Sequence, residues 1–289
     1  MYKVGDTHTV PWVASLANNV IIETIRNTCE HLEYAFFSEG VFNLMLFGIR
    51  NQIVNSNTYN DRIGVIYRDQ YDVLTVEVFP GTTDPGRFFL KNPLVVDGTA
   101  ILPPGQYRGM FKIGTHKGYE ALVQNIPLKV WRDHNRDAVL DIPVKDVRSD
   151  ASGIDLHRGP IYNPGLEPQI GSWSAGCQVL QYYFHFMHLM SLANVSKGLY
   201  GNSFTYTLFD EAQLVDEGMR KYTKSLYRKI FDRIAHKVLR PPGVKSTYLQ
   251  YCADYAEDIV ENLMMAGIST IPGEETVNGD PIVITMNNI

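Results

Sequence analysis

The sequence predicts an α+β protein, with a β-rich core set between an N-terminal helix and a C-terminal helical extension. Three observations lead there. Val13, Leu16, Val20, Ile21, Ile25, Cys29, Leu32 and Phe36 recur at spacings of three and four, which is the pattern of an amphipathic helix over about 13–37. From Phe42 to about Val147 the pattern changes to short apolar runs separated by Gly, Pro, Asn and Asp clusters, as strands and turns require. After Phe209 a helical period returns and continues over 212–239.

Taken in order, Ser38-Glu39-Gly40 is expected to end the first helix. Strands are expected at Leu44–Ile49, Arg62–Arg68, Val73–Val78, Gly105–Ile113, Ala121–Val123 and Leu128–Arg132. Ile154, Leu156 and Arg158 alternate with Asp155 and His157, which reads as a strand ending at Gly159-Pro160. Val179, Leu180, Tyr183, Phe184, Met187, Met190 and Leu192 then suggest a helix from Gln178 to Ala193, with Cys177 in its first turn. A last core strand is expected at Phe204–Leu208. The division that follows is a helical segment over 1–40, a β-rich domain over 41–209, and a helical hairpin with a tail over 210–289.

The 212–239 helix carries eight basic residues between Arg220 and Arg240 against the single acid Asp232, and Pro241-Pro242-Gly243 stops it. A second helix over 247–266 is acidic on its polar side, with Asp254, Glu257, Asp258 and Glu261. Complementary charge favours an antiparallel hairpin; the alternative is that the basic helix meets a polymer, a membrane surface or a protein partner. A short β segment is expected at Ile282–Met286.

Composition excludes several classes of function. The chain has 289 residues, 45% of them hydrophobic and 20% charged, enough for a sizeable core. A net charge of −5 provides no general attraction to nucleic acid or an anionic membrane, so no nucleic-acid partner is expected. Cys29, Cys177 and Cys252 are far apart, with no Cys-x-x-Cys or Cys/His zinc spacing, which argues against a disulfide framework, a structural metal or another cofactor. The segment from Met1 to Val20 lacks a continuous apolar stretch, so no signal peptide is expected, and no run is apolar enough for a transmembrane segment.

The chemistry concentrates in Gly171-Ser172-Trp173-Ser174-Ala175-Gly176-Cys177-Gln178, twenty residues after His157. A cysteine at a helix start would have a lowered pKa, with Ser174 as N-cap and Gly176 allowing close approach of a substrate carbonyl to the 175–177 amides. His157 at a strand end can accept the thiol proton and return one to a leaving amine. Either Asp155 or a backbone carbonyl just after His157 can fix its tautomer. The competing reading is a buried structural cysteine behind a cap.

His157 with Gly159 close behind it, followed by Ser174-Ala175-Gly176-Cys177, resembles the signature of the L,D-transpeptidase (YkuD-like) catalytic domain. Those cysteine enzymes act on the peptide stems of peptidoglycan. The upstream Pro103-Pro104-Gly105-Gln106-Tyr107 is similar to that family's Pro-x-Gly-x-Tyr/Phe turn. Over about 42–209 the chain also resembles a group of bacteriophage endolysin-like proteins with such a domain. It departs from the bacterial pattern at Ala175, where the family has a second histidine, at Gln178, and at Val179, where the family has an arginine; Arg158 is then the alternative guanidinium for a substrate carboxylate.

The resemblance implies Cys177 as nucleophile, His157 as base, Gly176 and Arg158 in the catalytic set, and Ser174, Gln178 and Tyr107 near the substrate. From its place in the loop His116 either lines the cleft opposite His157 or is incidental, and Trp173 either stacks on a substrate or wedges the loop into the core. It implies a phage cysteine hydrolase cutting wall peptides, made in the host cytoplasm and acting at the cell wall, either released at lysis or carried on the virion. The rival reading is a virion structural protein with a wall-binding or vestigial domain, assembled with other virion proteins through 1–40 and 210–289.

Two further groups are set apart. Asp133, Asn135, Asp137 and Asp141 alternate as calcium ligands do, but without the loop glycine or the closing glutamate, and a self-capped turn explains them as well. His185 and His188 lie among Tyr, Phe and Met, so packing is expected of them rather than metal binding.

Overall fold

The structure, a computed structural model, describes residues 17–51, 57–142, 148–160 and 169–214. The helices expected beyond residue 214, the 282–286 segment and Cys252 lie outside these residues.

Helix α1 (Asn18–His31) buries Ile21, Ile22, Ile25 and Cys29. It ends at His31, well before Gly40: Glu33 takes a φ of 56° and the Tyr34 N–H bonds the Cys29 carbonyl. Leu32, Tyr34, Phe36 and Phe37 still pack on the same apolar cluster from non-helical chain, which is why the helical spacing ran on past the true end.

Eight strands close into a barrel: β1 (Met45–Arg50), β2 (Asp61–Arg68), β3 (Leu74–Thr82), β5 (Gly105–His116), β6 (Tyr119–Gln124), β9 (Leu156–Arg158), β10 (Gln178–Leu180) and β11 (Phe204–Asp210). Around the barrel the order is β1, β11, β5, β6, β9, β10, β3, β2, returning to β1. Most neighbours are antiparallel; β1 with β11 and β9 with β10 are parallel. A helix α2 (Arg87–Lys91) and a separate sheet of β4 (Thr99–Ile101), β7 (Leu128–Asp133) and β8 (Ser149–Ala151) complete the middle of the chain.

Every residue of β1 is buried because both of its faces are covered. Leu46 joins Ile63, Val65, Leu122, Leu156, Tyr206 and Leu208 in one cluster, while Met45, Phe47 and Ile49 pack with Ile21, Ile25 and Cys29 of α1 in another. Period-two alternation thus feeds two cores from one strand. Gly48 is required here: a Cβ on it would lie 2.0 Å from the Tyr206 hydroxyl.

The expected helix from Gln178 to Ala193 is corrected at its start. Gln178, Val179 and Leu180 are a fully buried strand, parallel to Leu156–Arg158 and antiparallel to Gly81–Thr82, and helix α3 runs later, over Tyr183–Tyr200. A three-residue buried run has no period of its own, so the strong helical spacing after Tyr183 spread backwards over it. Cys177 therefore stands before a strand, not at a helix N-terminus. A one-turn α4 (Glu211–Gln213) opens directly after β11, where the Gln213 side chain accepts the Asp210 N–H at 2.9 Å. Among the described residues no helix is long and apolar enough to cross a membrane.

Candidate active site

The parallel pair β9/β10 brings the two motif residues together. Gln178 lies opposite Leu156 and Val179 opposite His157, so Cys177 comes level with Asp155, and the Gln178 N–H bonds the Asp155 carbonyl at 2.8 Å. Cys177 Sγ donates to the Gly153 carbonyl at 3.3 Å and receives the Asp155 N–H at 3.5 Å. Below it, Ser174 Oγ donates to the Cys177 carbonyl at 2.8 Å and accepts the Gly176 N–H at 3.1 Å. Ser174 caps a turn rather than a helix.

Gly176 has a φ of 119°, and a Cβ there would come within 2.6 Å of the Ala100 carbonyl on β4. Its freedom lets the Cys177 turn press against the protein's own backbone. Because its N–H already serves Ser174, the oxyanion hole expected from the 175–177 amides lacks its central donor in this arrangement.

His157 is 1% exposed. Its Nδ1 faces the Arg158 carbonyl at 2.8 Å and the Tyr119 hydroxyl at 3.3 Å, and its Nε2 is buried with no partner. Between the two tautomer-fixing groups considered from sequence, the carbonyl holds the ring. Asp155 instead serves His116, whose Nδ1 lies 2.7 Å from Asp155 Oδ2, while the Gln124 N–H bonds Oδ1 at 2.9 Å. The His116 ring then stacks on that of His157, with centroids 4.2 Å apart and 15° between planes.

The electrostatics correct the expectation of a lowered thiol pKa. Burial pushes the Cys177 thiol up to about 12, because no helix dipole is present to oppose it. Burial, reinforced by neighbouring His116, brings His157 down to about 4. Burial works against ionisation of Asp155 too, but the hydrogen bonds from His116 and Gln124 outweigh it and hold the carboxyl below its usual value. At rest both the Cys177 thiol and the His157 imidazole are thus neutral, with a carboxylate behind the second imidazole.

Arg158 lies half-buried among rings, 4.4 Å from the centroid of Tyr119, 5.8 Å from Tyr183 and 5.9 Å from Trp173. Its Nη1 bonds the Gly159 carbonyl, and among the described residues no carboxylate pairs with it. Trp173 also packs on the small cluster of Tyr59, Ile170, Cys177 and Val179, so it touches both cation and nucleophile turn. Tyr119, which the motif reading passed over, links His157, His116 and Arg158; the Lys117-Gly118 turn that sets it across from His116 was its only sequence signal.

Two expected substrate contacts have other partners. Gln178 is fully buried: its Oε1 accepts the Tyr206 hydroxyl at 2.7 Å and its amide reaches the Thr83 and Gly176 carbonyls. Tyr107 donates to the Pro103 carbonyl at 2.6 Å and secures the turn that opens β5.

Among the described residues no group of three or more His, Cys, Asp or Glu is arranged to hold a metal ion. The Asp133–Asp141 loop closes on itself, with the Asp141 N–H on Asp133 Oδ2, the Asp137 N–H on Asn135 Oδ1 and the Val139 N–H on Asp137 Oδ1. His188 pairs with Glu77 at 2.8 Å and His185 packs on Phe79. Comparison with family models, curated proteins and solved structures finds no match to this chain.

Proposed function

We propose that the protein is a cysteine-dependent acyl-transfer enzyme that hydrolyses the stem peptides of bacterial peptidoglycan. The observation that carries this reading is that the parallel strands β9 and β10 set Cys177 level with Asp155, two positions from His157, whose ring stacks on a second imidazole, each ring held by its own acceptor. The resemblance of the His157 and Cys177 motifs to L,D-transpeptidases supplies the substrate class.

In this mechanism Cys177 passes its proton to Nε2 of His157 as Sγ attacks the peptide carbonyl. His157 then protonates the departing amine, leaving a thioester that water hydrolyses. The buried Nε2 with no partner in the resting site is the acceptor that this step requires. Neither group is charged at rest, so the ion pair forms only as substrate closes over the thiol. Arg158, held by three rings and with no carboxylate partner among the described residues, is suited to the terminal carboxylate of a stem peptide.

Incubation of purified sacculi with wild type and Cys177→Ala, followed by mass spectrometry of the released muropeptides, tests the proposal. New muropeptides with wild type alone support it; cleavage by the variant refutes it. The 7% exposure of Cys177 favours a second reading, a wall-binding virion component without turnover. Binding of both proteins to sacculi with no change in muropeptides would establish that one.

A further inference from the structure

The site holds one imidazole more than thiol activation needs. We propose that His116, oriented by Asp155, is the general base that activates water for hydrolysis of the thioester, while His157 serves the thiol. This rests on the acyl-transfer reading of Cys177.

Asp155 is an acceptor. Its Oδ1 takes the Gln124 N–H, so Oδ2, 2.7 Å from His116 Nδ1, takes that nitrogen's proton. In its neutral form the ring presents Nε2 as a lone pair, in the same relation of carboxylate, imidazole and proton acceptor by which a triad prepares its base. The Asp155 N–H simultaneously donates to Cys177 Sγ, so one residue sets the positions of both the thiol and the second imidazole.

The two rings differ in their access to water. His157 is 1% exposed, enclosed by Tyr119, the Arg158 carbonyl and the face of His116. The His116 side chain keeps 11% of its surface and stands at the end of β5, at the Lys117-Gly118 hairpin turn. Of the two rings, His116 is the one that water can reach.

In the resulting step, a water O–H proton moves to His116 Nε2 as the oxygen bonds the acyl carbon. Collapse of the tetrahedral species breaks the C–S bond, and the sulfur recovers a proton from His116. Acid leaves and the free thiol returns, with no other reactant required.

p-Nitrophenyl acetate separates the two halves of the reaction: the initial nitrophenolate burst reports acylation of Cys177, and the steady rate reports deacylation. In His116→Gln the burst is expected to persist while the steady rate falls about 100-fold, with acetyl-enzyme visible by intact mass. Hydroxylamine, which attacks a thioester without a base, should restore the rate. Asp155→Asn should show the same pattern more weakly. A wild-type steady rate in His116→Gln overturns the inference and leaves the Cys177 reading standing. Loss of burst and steady rate together also overturns it, because His116 would then act before the thioester forms. Ester turnover that survives Cys177→Ala removes the thiol reading itself and the inference with it, and a wild type that turns over without a burst overturns the inference alone, because deacylation would then not limit the rate.

Discussion

The rings of His116 and His157 lie face to face, 4.2 Å between centroids, and only His157 is sealed from solvent. Charging the inner ring therefore requires desolvating a cation beside a second imidazole, which is why its pKa falls to about 4. The unfolded chain titrates this histidine near 6.5. Between those values the unfolded state binds the proton and the native state does not, so stability declines as pH falls from about 6.5 towards 4. Thermal midpoints recorded across that range should fall less steeply for His157→Gln than for wild type. Parallel curves would mean that His157 is not held neutral.

Cys177 should behave as a quiet thiol until substrate arrives. With its pKa pushed up to about 12, its alkylation by iodoacetamide should rise steadily from pH 7 to 10 without levelling off. A preformed thiolate–imidazolium pair would instead give a plateau reaching below neutrality. Mass spectrometry of the Cys177 peptide over a pH series distinguishes the two, and a plateau at pH 6 would contradict the neutral resting site.

The long elements could be read from sequence because their periods run over enough residues to be seen. β1, β2, β5 and β11 fall within a few residues of the strands expected from alternation. β4, β8 and β10 have three residues each, too few to show a period, and β10 was absorbed into the helix that follows it. The nearness of His157 and Cys177 was legible because their motif spacing carries it. The contact of His116 with Asp155 was not: it spans 39 positions and depends on β6 pairing with both β5 and β9. The thiol's environment was misread for a related reason, since a helix dipole was inferred from a helix that starts five residues later than its spacing suggests.

Gly176→Ala tests how closely the nucleophile turn is fitted. The new methyl group would lie 2.6 Å from the Ala100 carbonyl on a backbone already at a φ of 119°, and neither β4 nor the Ser174 cap has slack to give. A loss of about 2 kcal/mol in denaturant unfolding is expected. Because the turn can relieve the clash only by lifting away from β4, iodoacetamide labelling of Cys177 should accelerate as well. Unchanged labelling with lowered stability would show that the strain is absorbed on the β4 side.

Tyr206→Phe probes the bond that ties this turn to the barrel interior. Tyr206 on β11 donates to Gln178 Oε1, and the Gln178 amide in turn reaches the carbonyls of Thr83 and Gly176, so β11, the end of β3 and the nucleophile turn share one buried network. Removing the hydroxyl leaves a fully buried amide oxygen without its donor, at a cost of about 1–3 kcal/mol. Gln178→Leu should cost a similar amount, by stranding the tyrosine hydroxyl instead. The double variant removes both polar partners and should lose clearly less than the two single losses combined. Additive losses in urea unfolding would mean that the two groups contribute independently and that the network does not hold the Cys177 turn.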